Sequence, residues 1–334
     1  MRIACFGEIL LRLSAAHGER LLQSPGFHAA FAGAEANVAC ALGRFGHDVT
    51  MISALPVNLL GQQCAAYLRS FNVGTLDILW SPGRMGLYYL EPGSAGRPAS
   101  VTYDRSNSVF ALQDFSLNWQ STLAGWDWLH MSGISMALGA GPRRAVNQAA
   151  MRAHDQGLRV SIDCNHRPSL WRGRMSEAAE CQRELIGNAT VLFANEQDLS
   201  LATGETPHDG TAEEKFVWAF ERALEIAPRM TVMASTHRSS DEAGNEYLRA
   251  FACDSYGIHC AGPVRLSPAV DRVGSGDAFA AAFLHRYAPA ADTLSALRLG
   301  LAAVIYKRSI KGDVLQASAE EIEAAAQCTA EILR

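Results

Sequence analysis

The alternation of strand-length apolar runs with longer segments of helical periodicity constrains the fold of this chain more than any other feature. Apolar runs typical of buried strands occupy about 2–13, 49–53, 126–131, 158–163, 190–194 and 230–235. Helical patterns lie between them at about 34–46, 59–71, 142–156, 176–188 and 212–226. This alternation predicts an α/β fold with a mostly parallel sheet and helices on both of its faces. Polar residues that follow the strands should then meet at the carboxyl edge of the sheet, where such folds bind their ligands.

Residues 84–105 interrupt the alternation. Two runs of β-forming residues flank the turn-rich sequence Pro-Gly-Ser-Ala-Gly-Arg-Pro at 92–98, which predicts a β-hairpin with a broad loop. A hairpin placed after the second βα unit can project from the domain as a lid. The carboxyl-terminal third returns to helical patterns, at about 277–287, 292–308 and 318–332. With no internal repeat or linker, we expect one large domain over 1–334.

Composition and charge describe an ordinary globular protein. Charged residues make up 19% of the chain and the formal net charge is -5, which gives no indication of a nucleic-acid partner. Glu8 and Arg12 interrupt the apolar start, so it is interpreted as a core strand rather than a signal peptide, and no apolar run is long enough for a membrane helix. The eight cysteines form no zinc-ligand pattern and are expected to be buried, reduced thiols. The sequence therefore predicts a cytoplasmic protein.

The strongest local signal is Asp-Arg-Val-Gly-Ser-Gly-Asp-Ala-Phe at 271–279, which leads into an alanine-rich helix. Gly274 and Gly276 on either side of Ser275 allow a tight turn with exposed N–H groups, and the helix amino terminus adds positive potential. Asp277 in that position can accept a proton from a hydroxyl group while the amides stabilise a phosphoryl group in transfer. The alternative is an ordinary capped helix start. A phosphate loop of the Walker type is missing, and Phe279 replaces the third glycine of a dinucleotide fingerprint.

A second polar group follows the predicted strand at 158–163. Alternation along an extended chain would place Asp163, Asn165 and Arg167 on one side, at the ligand edge of the sheet. The planar guanidinium of arginine suits a carboxylate or a phosphate. A surface turn before Pro168 is the alternative interpretation.

The predicted lid carries a third cluster, in which Tyr103 and Arg105 would share one face of a strand. They could present a hydroxyl and a guanidinium to the same ligand. A solvated or oligomer-forming face is the alternative.

Two further helix starts complete the set. Gly33 precedes a helix rich in small residues, and Asn37 would lie one turn into it; close approach to a ligand and tight helix packing both explain this pattern. Asn195 and Asp198 follow a buried strand at the start of another helix, where they could hold a hydrated magnesium ion. Helix capping by Asn195 is the alternative there.

Taken together, these motifs resemble the ribokinase-like (PfkB) carbohydrate kinases over nearly the whole chain. The family signature Asp-Thr-x-Gly-Ala-Gly-Asp is matched at Asp271, Gly274, Gly276 and Asp277. The resemblance implies a three-layer α/β/α sandwich with a small β-sheet lid at about 12–32 and 84–106. It also implies ATP as phosphoryl donor, Mg²⁺, Asp277 as general base and a homodimer formed through the lid.

Within that family the chain is most similar to the branch that phosphorylates 2-keto-3-deoxygluconate. The similarity lies in Arg84-Met-Gly-Leu-Tyr-Tyr-Leu-Glu, in Tyr103-Asp-Arg105 and in the segment 163–171. It implies that Arg105 and Arg167 bind the substrate carboxylate. The other residues that the similarity implies for the sugar site are Gly33, Ala34, Asn37, Tyr89, Tyr103 and Asp313. Those that it implies for the nucleotide are Asn165, Asn195, Ser235, Gly274 and Gly276. Asp198 would bind the metal ion through water.

Two departures from the family pattern concern the nucleotide. Asp198 stands where the family has a glutamate, one methylene longer, and the usual glycine-bearing loop is missing after Ser235. Kinases for fructose, ribose, a nucleoside or 2-keto-3-deoxygalactonate, and a non-catalytic sugar-binding protein, are the alternatives that the sequence leaves open.

Overall fold

The computed structural model describes residues 1–94 and 96–331, which form two β-sheets and the helices that cover them. The strands are β1 Arg2–Phe6, β2 Leu10–Ser14, β3 His28–Ala32, β4 Asp48–Pro56, β5 Val73–Gly74, β6 Ile78–Ser81, β7 Gly86–Glu91, β8 Ser100–Asp104, β9 Trp128–Ser132, β10 Arg159–Asp163, β11 Val191–Phe193, β12 Val232–Ser240, β13 Glu246–Asp254 and β14 Gly257–Arg265. The helices are α1 Ala34–Arg44, α2 Leu59–Ser70, α3 Val109–Leu112, α4 Trp119–Thr122, α5 Gly133–Leu138, α6 Ala140–Asp155, α7 Met175–Gly187, α8 Glu196–Thr203, α9 Ala212–Ile226, α10 Ser275–Ala290, α11 Thr293–Lys307 and α12 Ala319–Glu331, with a 3₁₀ turn at Pro168–Trp171.

The larger sheet confirms the predicted α/β architecture. Its strand order is β14-β13-β12-β11-β10-β9-β1-β4-β5, with β6 paired to β4, and every pair from β12 to β5 is parallel. One buried cluster packs α1, α2, α10 and α11 against one face, and a second packs α6, α7 and α9 against the other. Burial on both faces explains why β9 and β11 consist of fully buried residues. The result is a three-layer α/β/α sandwich.

The smaller sheet has the order β3-β2-β7-β8. Its hairpin β7–β8 confirms the antiparallel pair predicted at 84–105, while β2 and β7 run parallel. The prediction of one strand over 2–13 is wrong, because the chain leaves the larger sheet at Gly7 and enters the smaller one at Leu10. Gly7 lies so close to α1 that a Cβ on it would stand 2.1 Å from Oε2 of Glu35. The small sheet, called the lid below, is thus joined to β1 by Gly7–Ile9.

After Ser235 the chain forms strands that the sequence does not predict. β12 continues to Ser240 and pairs antiparallel with β13, which in turn pairs with β14. The polar run Thr-His-Arg-Ser-Ser at 236–240 has the composition of a loop, and its last three residues are exposed. Tertiary pairing therefore extends a strand that its own hydrophobicity does not indicate. Within the described residues, the helices are too short or too polar to cross a bilayer.

Candidate active site

A cavity of about 810 Å³ lies between the lid and the carboxyl edge of the larger sheet. Residues that end β10 and β11, the middle of β12, the amino termini of α1 and α10, and the inner face of the lid all contribute to its wall. The residues predicted for the site that line it are Gly33, Ala34, Asn37, Tyr103, Arg105, Asn165, Arg167, Asn195, Asp198, Ser235, Gly274, Ser275, Gly276, Asp277 and Asp313. The fold therefore brings all but one of the predicted positions to one cavity.

Tyr89, which was predicted for the sugar site, is the exception, because it does not line the cavity. Neighbouring residues of a strand point to opposite faces, and it is Tyr88 that is buried and lines the cavity. The ring of Tyr89 lies on the outer face of the lid, 6.3 Å from that of Phe27. The sequence Tyr-Tyr gives no means of choosing between the two without the register of the lid.

The start of α10 has the geometry of an anion site. Gly274 caps the helix in the left-handed conformation, with φ of 80°, and a Cβ there would lie 1.8 Å from the carbonyl oxygen of Asp313. A Cβ on Gly276, by contrast, would meet no atom within 4 Å. The first amides of a helix have no intrahelical acceptor. The amide of Ser275 donates to the carbonyl of Arg272 at 3.4 Å, whereas those of Gly276 and Asp277 can bind an anion in the open space beside Gly276.

Asp277 occupies the first turn of α10 and faces the cavity. Nδ2 of Asn37 donates to its Oδ2 over 2.6 Å, which joins the amino termini of α1 and α10. Burial, together with the negative charges of Asp163 and Asp313, raises the pKa of Asp277 to about 7, although Asn37 and Arg167 act in the opposite direction. A carboxyl group with this pKa can accept a proton near neutral pH and release it again.

Burial also raises the pKa values of three neighbouring carboxyl groups. The pKa of Asp163 is raised to about 7, that of Asp198 to about 6 and that of Glu35 to about 7. Glu35, a residue of α1, is buried and accepts hydrogen bonds from the amide and hydroxyl of Ser132, at 3.0 and 2.7 Å. Carboxyl groups with shifted pKa values that lie close together in one cavity are typical of a functional site.

The two arginines predicted to bind the substrate carboxylate have different surroundings. Arg105 is buried, and its Nε and Nη2 both contact Oε2 of Glu8, at 2.7 and 2.5 Å. Ser108 donates to the other oxygen of Glu8 and completes this network. Arg167 is exposed at the rim, and its side chain makes no hydrogen bond to a described residue. Arg105 is therefore fixed in place, whereas Arg167 is free to approach a ligand.

A network that the sequence analysis missed joins the lid to the wall around Asp313. Arg12 of β2 donates to Asp313 and to Asp271, each over 2.6 Å, and the hydroxyl of Tyr88 donates to Asp313 over 2.6 Å. Both oxygens of Asp313 thus have partners within the protein. The charge of Arg12 inside an apolar strand was the available signal, because a charge in such a strand needs a buried partner.

Asn195 and Asp198 form a reciprocal capping box at the start of α8. The side chain of Asn195 accepts from the amides of Gln197 and Asp198, at 2.8 and 3.1 Å, and Asp198 accepts from the amide of Asn195 at 3.0 Å. Capping, the alternative given above, is therefore present, although both residues also line the cavity. Among residues 1–94 and 96–331, no three or more His, Cys, Asp or Glu side chains are grouped so that they could hold a metal ion.

Several known proteins are similar to this chain over most of its length. Residues 1–232 match the model of the pfkB family of carbohydrate kinases. A 2-dehydro-3-deoxygalactonokinase of Haloferax volcanii is 28% identical over 327 residues, 96% of this chain and 95% of that protein. The crystal structure of 2-dehydro-3-deoxygluconokinase from Thermotoga maritima superimposes with a TM-score of 0.91 at 33% identity and covers 98% of each chain. A 2-dehydro-3-deoxygluconokinase of Bacillus subtilis is 26% identical and covers 82% of this chain and 79% of its own length.

Proposed function

Because the chain belongs to the pfkB family of carbohydrate kinases, we propose that it transfers the γ-phosphoryl group of ATP to 2-keto-3-deoxygluconate and forms the 6-phosphate. The observation that carries this proposal is the presence of Arg105 and Arg167 in the cavity that contains Asp277. A neutral sugar offers neither arginine a carboxylate. Two guanidinium groups facing one general base therefore favour an acidic acceptor.

The acceptor end of the cavity contains one arginine that is paired within the protein and one that is not. Glu8 balances the charge of Arg105 and holds it beside the ring of Tyr103, 5.5 Å from its guanidinium carbon. Arg167 at the rim would close on the substrate carboxylate and supply the uncompensated charge. The far hydroxyl of the acid would then reach Asp277, which takes its proton while the amides at the start of α10 stabilise the phosphoryl oxygens.

At the donor end, the residues present fit a nucleotide and its magnesium ion. The open space beside Gly276 accommodates the terminal phosphate, and Asn165, Asn195 and Ser235 provide polar groups along the wall. Asp198 would hold Mg²⁺ through water. The bound ion would neutralise charge on the phosphate oxygens, which is its usual contribution to this reaction.

An acceptor panel tests the proposal. ADP release should be measured for wild type and for Arg167→Ala with 2-keto-3-deoxygluconate, 2-keto-3-deoxygalactonate, fructose and ribose. We expect turnover of a 3-deoxy sugar acid by wild type and a KM for it that is about 10²-fold higher in Arg167→Ala, because a charge-assisted pair to the carboxylate is lost. Asp277→Asn is the chemical control, with a kcat lowered by about 10²–10⁴-fold. Preference for a neutral sugar, with Arg167→Ala unchanged, would refute the acidic acceptor.

The galactonate epimer is the second candidate, and the Haloferax volcanii relative favours it. The two acids differ in the configuration of one hydroxyl group, so both present the same carboxylate to Arg167. The ratio of kcat/KM for the two epimers in the panel decides between them.

We also propose a cytoplasmic location. The cysteines described by the structure are all unpaired, at 5, 40, 64, 164, 181, 253 and 260. Unpaired thiols suit a reducing compartment. Fractionation of cells that produce the protein tests this location.

A further inference from the structure

Four charged side chains are buried together where the lid meets the start of α10. Arg12 from β2 and Lys307 from the end of α11 are the cations, and Asp271 and Asp313 are the anions. Lys307 is fully buried and Arg12 and Asp313 are 6% and 5% exposed. The two positive and two negative charges balance, as a buried cluster requires.

Arg12 is the centre of this cluster. Its Nη1 donates to Oδ1 of Asp313 and its Nη2 to Oδ2 of Asp271, each over 2.6 Å, while Nε donates to Ser14 over 2.5 Å. Nζ of Lys307 contacts the carbonyl oxygen of Asp271 at 3.4 Å. All three nitrogen atoms of the guanidinium thus donate hydrogen bonds in fixed directions, which a single ammonium group could not reproduce.

Both aspartates lie against the glycine turn that begins α10, Asp271 through its carboxylate and Asp313 through its backbone carbonyl. Asp271 accepts from the amide of Val273 at 3.0 Å and from that of Gly312 at 3.1 Å. The carbonyl of Asp313 lies where a Cβ of Gly274 would be, so the two backbones are in contact. A displacement of residue 271 or 313 would therefore move Gly274, and with it the helix that carries Asp277.

We propose that Arg12 is a positioning residue for phosphoryl transfer, which acts from the lid through Asp271 and Asp313 to hold the start of α10 and Asp277 in place. The inference rests on the proposed function, since it concerns the same reaction. Stability alone does not account for the cluster, because apolar side chains of similar volume commonly stabilise a core as well as a buried ion pair does. Directional bonds do account for it, since a 1 Å misplacement of catalytic groups costs about 10²-fold in rate.

The test compares Arg12→Gln and Arg12→Lys with wild type on whichever acceptor wild type prefers. We expect kcat to fall about 10²-fold in Arg12→Gln, with partial recovery in Arg12→Lys, while dissociation constants for ATP and acceptor by calorimetry stay within about threefold. Arg97→Gln is the matched control. Arg97, in the loop that joins β7 and β8, is also paired with a carboxylate, Glu91 at 2.5 Å, but it is partly exposed and does not line the cavity, so its removal should leave kcat unchanged.

Several results would overturn the inference. One is a kcat for Arg12→Gln, calculated per folded molecule, that stays within about threefold of the wild-type value. Another is a substitution that changes only KM and the dissociation constants and leaves kcat unchanged. Should Arg12→Gln fail to fold, Arg12→Lys and Asp271→Asn carry the test, and unchanged kcat in both overturns it. Because every variant is compared with wild type on the acceptor that wild type prefers, a wrong acceptor assignment would leave this comparison intact.

Discussion

At the scale of single residues, Asp277 shows how the surroundings of a carboxyl group set its chemistry. Enclosure and the nearby Asp163 and Asp313 hold its pKa near 7, while the hydrogen bond from Asn37 favours its charged form. A base with a pKa near the working pH combines a sufficient ionised fraction with a useful affinity for the proton. Asn37 therefore adjusts the base as well as holding it.

This arrangement predicts the pH dependence of turnover. Only the ionised form of Asp277 accepts a proton, so kcat/KM should rise with pH up to about 7 and level off above it. Removing the Asn37 donor in Asn37→Ala should raise the pKa further and move this rise to higher pH. Steady-state rates between pH 5 and pH 9, at about one-half unit intervals, measure the midpoint. A midpoint near 4, or one that Asn37→Ala leaves in place, would contradict the role given to Asp277.

Single residues also show which parts of the site can be predicted from the sequence and which cannot. Asp277, Gly274 and Arg167 could be predicted because local spacing and residue type carry their chemistry. Tyr88 and Arg12 could not, since their partner Asp313 is 301 residues from Arg12 in the chain. Such pairings follow from the register of the lid on the larger sheet, which no local pattern encodes.

At the scale of elements, the start of α10 depends on two glycines that serve different needs. Gly274 combines a φ of 80° with contact to the carbonyl of Asp313, whereas Gly276 has neither constraint. The sequence analysis treated the two as equivalent. The structure separates a glycine required by the fold from one that leaves space for a ligand.

Matched alanine substitutions should therefore have opposite effects on stability. Gly274→Ala should lower the free energy of unfolding by about 3 kcal/mol or more, because the left-handed conformation and the overlap with the 313 carbonyl both oppose a methyl group. Gly276→Ala should leave stability unchanged or raise it by about 0.5–1 kcal/mol through helix propensity. Denaturant unfolding monitored by circular dichroism measures both. Equal losses in the two variants would contradict this distinction.

The helices and strands could be predicted where burial gives their residues a regular pattern of apolar side chains. Helices α1, α2, α7 and α9 begin and end close to the predicted bounds, and in α2, α7 and α9 the buried residues recur at helical spacing. The hairpin β13–β14 was not predicted. Its outer strand, β14, forms the edge of the larger sheet and is mostly exposed, so its polar side chains conceal the alternation of a strand.

At the scale of the whole molecule, we propose that the outer face of the lid joins two copies of the chain, as the family resemblance suggests. Leu87 and Tyr89 on β7 are half-exposed there, and Phe27 is 45% exposed beside Tyr89. An apolar face of this kind favours a self-complementary contact.

Sedimentation equilibrium tests this assembly. Wild type should have about twice the chain mass of 36.0 kDa. Tyr89→Lys should reduce it to the mass of one chain, because a charge is placed in the contact. Tyr256→Lys is the control, as this tyrosine is 92% exposed on the turn between β13 and β14. A wild-type mass near 36.0 kDa would exclude the dimer under the conditions used.

The pairing of Arg12 with Asp313 also bears on the order in which the molecule is completed during synthesis. β2 and α1 leave the ribosome early and can pack as soon as β4 follows them, since chains fold in units from the amino terminus. Arg12, however, must wait for the synthesis of a further 301 residues before the carboxylate of Asp313 exists. A nascent chain that ends before α11 therefore has its lid strands and its acceptor arginines but lacks Asp313, and we expect phosphoryl transfer to begin only after residue 313 has left the ribosome.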